Sequence, residues 1–147
     1  MRPEYNLLEL LPHRHPFVFI DRITELDVRK QVVRGCMTYS YNCFLLTGLQ
    51  EGVRIVPAGI LLESMAQLSA ILKHLLDHAA TDQKKAGPGY LAAINSFDYH
   101  SPLMLGQQAE ITATITHSFG TLIRSSCAVS VAETSCASAE LSFQTGI

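Results

Sequence analysis

The run "IVPAGILLESMAQLSAILKHLL", residues 55–76, constrains this chain more than any other stretch. It is apolar enough to need burial along most of its length. Glu63, Ser64, Gln67, Ser69, Lys73 and His74 interrupt it, which is too much polarity for an ordinary membrane span. It therefore reads as the buried helix of a soluble protein. Pro57 suits the first turn, where its missing N–H would have no partner anyway. A helix from Pro57 to about Ala79 would be roughly 33 Å long.

The rest of the chain alternates in the manner of strands. "FVFIDRITELDV" and "KQVVRGCMTYSY" are rich in β-branched and aromatic residues and predict a hairpin. After the helix, "YLAAINSFDYHS", "QAEITATITHSF", "TLIRSSCAVSVAE" and "SCASAELSFQT" predict four more strands. "EYNLLELL" predicts a short opening helix that stops before Pro12. "NCFLLTG" predicts a turn of helix followed by a loop, and "ATDQKKAGPG" an exposed loop. The order is two strands, one long helix, four strands. An α+β fold follows, in which an antiparallel sheet of about six strands wraps around the central helix and buries its concave face there. One helix leaves a sheet edge open, so a dimer that pairs the edge strand is expected.

With 147 residues, 48% of them hydrophobic, the chain has the means for one compact domain over residues 1–147. The formal charge is −2 and the basic residues form no run, which argues against a nucleic-acid partner. Cys36, Cys43, Cys127 and Cys136 show no C-x-x-C or zinc-like spacing and read as reduced thiols of a cytoplasmic protein. The first residues, "MRPEYNLLELLPHRHPF", lack the charged and apolar regions of a signal peptide. Neither a membrane nor a metal is expected. His74 and His78 have the i, i+4 spacing of a metal pair but no evident third ligand, and histidine suits a helix C-terminus in any case.

Glu63 is the chemically informative residue. An ionised carboxylate within an apolar helix is costly unless paired, hydrogen-bonded or protonated. Gln67, one turn on, can donate to it. Two readings stand on the residues alone: a partly exposed side chain satisfied by Gln67 or by a dimer partner, or a site carboxylate with a raised pKa. Cys43 has no base beside it in sequence and reads as a small core residue.

Four segments, "LLPHRHPFVFIDRI" (10–23), "GLQEGVRIVPAGILLESMAQ" (48–67), "FDYHSPLMLGQQ" (97–108) and "ASAELSF" (137–143), resemble in order and spacing the motifs of the FabZ-type 3-hydroxyacyl-acyl-carrier-protein dehydratases, proteins of the hotdog fold. The resemblance implies a sheet around a central helix, dimerised so that two sites lie at the subunit interface. There a histidine in a Gly-His-Phe-Pro stretch of one subunit faces a glutamate on the central helix of the other. The histidine takes the C2 proton of the thioester and the carboxyl helps the C3 hydroxyl leave as water. Backbone N–H groups at the helix start polarise the thioester carbonyl. No cofactor is implied, because the acyl chain rides on the phosphopantetheine of acyl carrier protein or coenzyme A.

Carried over by position, Glu63 matches the glutamate, Gln67 the glutamine of the same helix, Pro57 the proline before it and Gly48 the glycine before the histidine. Ala58 stands where the family has glycine and, with Gly59, keeps backbone N–H groups at the helix start. The resemblance also implies a tunnel through which the acyl chain and its phosphopantetheine arm reach the site, and Tyr99 and His100 fall in the motif expected to border its mouth, His100 as a rim residue or a substitute base. His13 and His15 fall in a motif expected to pack the chain's approach to the sheet. The departure is Leu49, which occupies the histidine position and can neither accept nor donate a proton; Gln50 and Glu51 replace Phe-Pro. Three functions follow from this. One is a dehydratase-family subunit, acting with altered residues or paired with a histidine-containing paralogue, in fatty acid, polyene or polyketide synthesis. Another is a hotdog thioesterase working through Glu63. The last is a non-catalytic acyl-binding subunit.

Overall fold

The computed structural model describes residues 4–43, 52, 54–80 and 89–146. The expected loops at 44–51 and 81–88, and with them Gly48 and Leu49, lie outside the described residues. Helix α1 (Leu7–Leu10) opens the fold, with the Asn6 side chain accepting from the Leu8 N–H as its N-cap. Strands β1 (Arg22–Asp27) and β2 (Val32–Thr38) form the predicted hairpin. Helix α2 (Ala58–Ala80) follows, then β3 (Tyr90–Tyr99), β4 (Gln108–Phe119), β5 (Leu122–Val131) and β6 (Thr134–Gln144).

All pairings are antiparallel and the order across the sheet is β1-β2-β4-β5-β6-β3. The last three strands run as consecutive hairpins, whereas β3 crosses to the far edge beside β6. Alternation decides which face is buried. Ala109, Ile111, Ala113 and Ile115 of β4 point inward, as do Ile123, Ser125, Cys127 and Val129 of β5. Against them α2 lays Leu61, Met65, Leu68 and Leu72, spaced by three and four residues so that they share one face.

Small residues on the sheet let the helix approach closely. A Cβ on Gly35 of β2 would lie 3.1 Å from the Arg22 carbonyl oxygen and 3.2 Å from Leu68 Cδ1. The buried polar groups between helix and sheet are satisfied mutually: Ser69 Oγ donates to the Met65 carbonyl at 2.9 Å and lies 2.7 Å from Ser125 Oγ, whose hydrogen is therefore the shared one. All four cysteines are free thiols, and burial pushes the Cys127 thiol pKa up.

Residues 17–20 depart from the sequence expectation. They belong to no strand: Phe17 lies in a bend and 18–20 have no regular structure. Their backbone is paired instead with side chains of α2, and that pairing builds the site described next.

Candidate active site

Glu63, Ser64 and Gln67 lie at i, i+1 and i+4 and so project from one side of α2. That side faces segment 17–19. Gln67 is buried, and its side-chain amide behaves as a strand partner would. Its Oε1 accepts from the Phe19 N–H at 2.8 Å and its Nε2 donates to the Phe17 carbonyl at 2.7 Å. The backbone groups settle which end of the amide is oxygen and which is nitrogen. The second Nε2 hydrogen goes to Glu63 Oε1 at 2.9 Å. Ser64 Oγ donates to the Phe19 carbonyl at 2.9 Å and lies 2.6 Å from the Tyr39 hydroxyl, which must then be its donor. Burial pushes the Tyr39 phenol well above its ordinary pKa.

This clamp carries the residues before it onto the helix. The turn ahead of Phe17 closes through its N–H to the Arg14 carbonyl at 2.8 Å, and Arg14 Nη1 donates to the carbonyls of Leu11 and His13. His13 is thereby delivered to Glu63, its Nε2 standing 3.3 Å from Glu63 Oε1. The two side chains are 35% and 42% exposed, enough for a ligand to reach the carboxyl. His13 Nδ1 is buried and has no hydrogen-bond partner among the described residues. Sequence reasoning placed His13 in a packing motif, and the structure sets it beside the site carboxyl as well. His15 of the same motif is exposed and makes no such contact.

The helix start is held separately. Val56 N–H donates to the Leu103 carbonyl at 2.8 Å and Leu105 N–H to the Arg54 carbonyl at 2.7 Å. Tyr99 clasps this junction, its hydroxyl donating to the Val56 carbonyl at 2.8 Å and accepting from Leu103 N–H at 3.1 Å. Burial raises its phenol pKa. The Pro57 carbonyl accepts from Ile60 and Leu61. The N–H groups of Ala58 and Gly59, both exposed, meet no acceptor among the described residues, so the first turn presents two donors at the positive end of the helix dipole.

His100 is engaged elsewhere, with Nε2 2.9 Å from Ser135 Oγ and Nδ1 3.5 Å from Asp98 Oδ2; no bond joins it to Glu63 or Gln67. His74 and His78 stack with ring centroids 4.5 Å apart, and burial followed by the neighbouring His78 lowers the His74 pKa. No group of three metal-ligating side chains occurs among the described residues. Two open hollows of about 420 and 590 Å³ flank the N-terminal segment, one lined by Arg34, Glu25 and Glu110, the other by His15 and Asp21; Glu63 lines neither.

A family model described as ApeP dehydratase matches residues 5–145. This chain belongs to the ApeP-like dehydratase family. Among curated relatives, the 3-hydroxyacyl-[acyl-carrier-protein] dehydratase FabZ of Campylobacter jejuni is 31% identical over 117 residues, 80% of this chain and 79% of the relative. That of Bartonella quintana is 29% identical over 136 residues, 92% and 84% of the two chains. Among solved structures, the dehydratase heterocomplex ApeI:P from Xenorhabdus doucetiae superposes with a TM-score of 0.79 at 16% identity, covering 96% of this chain and 91% of that one. The Escherichia coli PaaI protein superposes at 0.63 and 13% identity, covering 83% and 80%. The fold of this ApeP-like chain is thus the hotdog fold, and the chain is a FabZ-type, dehydratase-like protein. No helix among its described residues is long and apolar enough to cross a membrane.

Proposed function

We propose that this chain supplies the carboxyl half of a two-subunit site that dehydrates 3-hydroxyacyl thioesters carried on acyl carrier protein or coenzyme A. The observation that carries the reading is Glu63 itself, half-exposed on the central helix with Oε1 anchored by Gln67. A carboxyl held at one oxygen can present the other, Oε2, to a ligand. Leu49 cannot act as the base, so the histidine comes from a partner subunit that retains Gly-His-Phe-Pro. The heterocomplex of the Xenorhabdus doucetiae protein supports such a pairing. The partner's base takes the C2 proton and the C2–H electron pair becomes the C2=C3 double bond. The C3–O bond breaks as Glu63 gives its proton to the leaving hydroxyl, releasing water. The donors of Ala58 and Gly59 are placed to hold the thioester carbonyl oxygen as charge develops there. Gln67 and Tyr99 act on the protein side of this site, since their polar atoms are taken up by the protein.

The test is mass-spectrometric turnover of a carrier-protein-bound 3-hydroxyacyl thioester by the chain alone and mixed with a relative containing the histidine motif. Water loss is expected in the mixture, and Glu63→Gln should lower it by about 100-fold or more. A mixture in which Glu63→Gln works as well as the parent chain would remove the proposal. A thioesterase reading is favoured by one observation, that His13 already stands beside Glu63 in the same chain, so that activating water needs no partner. Release of free acid by the chain alone, lost in Glu63→Gln, would select it. Binding without turnover in either setting would leave an acyl-binding subunit.

A further inference from the structure

We infer that His13 is a positioning residue for Glu63, and that through its Nε2–H it makes Oε1 the anchored oxygen and Oε2 the one that carries the reacting proton. The inference rests on the reading of Glu63 as the site carboxyl. Because Gln67 Oε1 must accept from Phe19 and Nε2 must donate to Phe17, the remaining Nε2 hydrogen is committed to Glu63 Oε1. That oxygen is therefore an acceptor, and since the carbonyl oxygen of a protonated carboxyl is the better acceptor, the bond favours Oε2 as the oxygen that carries a proton on Glu63. His13 Nε2 stands 3.3 Å from the same Oε1, within ion-pair reach but not yet in hydrogen-bond geometry. Two lone pairs facing each other would repel, so the neutral imidazole carries its hydrogen on Nε2. Nδ1 is then the acceptor nitrogen. It is buried without a partner among the described residues, which leaves it no acceptor for a hydrogen of its own.

Gln67 is the one donor already in hydrogen-bond geometry to this oxygen; a small turn of the imidazole adds Nε2–H as a second, and two donors on Oε1 would fix both the rotation of the carboxyl and the identity of its free oxygen. Catalytic contacts of this length commonly shorten and align in the substrate complex. The arrangement differs from an acid–base couple in which histidine and glutamate exchange a proton. Here His13 keeps its hydrogen throughout, and its effect reaches the substrate only by way of Glu63.

The imidazole ¹⁵N shifts of His13 in the intact protein test the inference without any variant. The Nε2-protonated tautomer is expected, with a shift that changes in Glu63→Gln. The Nδ1-protonated tautomer, or a resonance indifferent to Glu63→Gln, would overturn it, and this readout holds even if no thioester is turned over. Where turnover is measurable, His13→Leu should lower kcat by about 10- to 100-fold while KM stays within about twofold. His13→Gln, whose amide nitrogen can stand near the position of Nε2, should recover most of the loss. Equal losses in both variants, or none in His13→Leu, would mean that the side chain only packs.

Discussion

Gln67 does work that no apolar residue of its size could replace. Its amide closes the backbone of Phe17 and Phe19 and holds Glu63, so removing it strands groups on both sides. Gln67→Leu should lower stability by about 3 kcal/mol, since each buried polar group left unpaired costs on the order of 1–3 kcal/mol. Tyr39→Phe should cost only about 1 kcal/mol, because Ser64 keeps its bond to the Phe19 carbonyl. Urea denaturation of the two variants checks the contrast, and equal losses would contradict the clamp. At this scale the sequence was partly legible. Glu63 and Gln67 stand out because they are polar in an apolar run, and the i, i+4 bond between them follows from helix geometry alone. The placement of His13 was not legible, because it depends on a segment some fifty residues away docking onto the helix through side-chain bonds that no local pattern announces.

The elements themselves were easier to read. Long α2 and the four closing strands show clear periodicity, and their bounds in the structure fall close to those expected. Two departures have physical causes. Segment 17–20 has the composition of a strand, yet the Phe17 carbonyl and both backbone groups of Phe19 bond to side chains of a helix. The position of β3 at the sheet edge is a matter of long-range pairing, which alternation along one strand cannot encode. The β5–β6 connection carries a local misfit. Val131 pairs with Thr134 across a two-residue loop, and both loop residues have positive φ, 46° at Ala132 and 68° at Glu133. Turns of this type favour Asn-Gly. The double substitution Ala132→Asn and Glu133→Gly should therefore raise stability by about 1 kcal/mol, allowing for the greater freedom that glycine gives the unfolded chain. A rise in the thermal midpoint is expected, and a fall would show that the strain at this turn is compensated elsewhere.

The molecule as a whole is a sheet with two edges and a helix on one face. At one edge β3 exposes Tyr90, Leu91 and Ile94 together. An edge of this kind pairs with another chain unless something blunts it. Our proposal of a two-subunit site requires such a contact, and Ile94→Lys should convert dimers to monomers in sedimentation equilibrium while leaving the far-ultraviolet circular dichroism unchanged. A variant that still dimerises would place the contact elsewhere. Leu49, whose side chain makes a partner's histidine necessary, lies outside the described residues, and this edge offers the second chain a place to pair. The Gln67 clamp also has a kinetic consequence. The Phe19 amide hydrogen is held by a side chain and not by a neighbouring strand, so its exchange with solvent deuterium requires only that segment 17–19 lift from α2. The amides of β4 and β5 exchange only when the sheet itself opens. Phe19 thus keeps time for the site separately from the fold, and ligand at Glu63 would slow that one clock while leaving the others running as before.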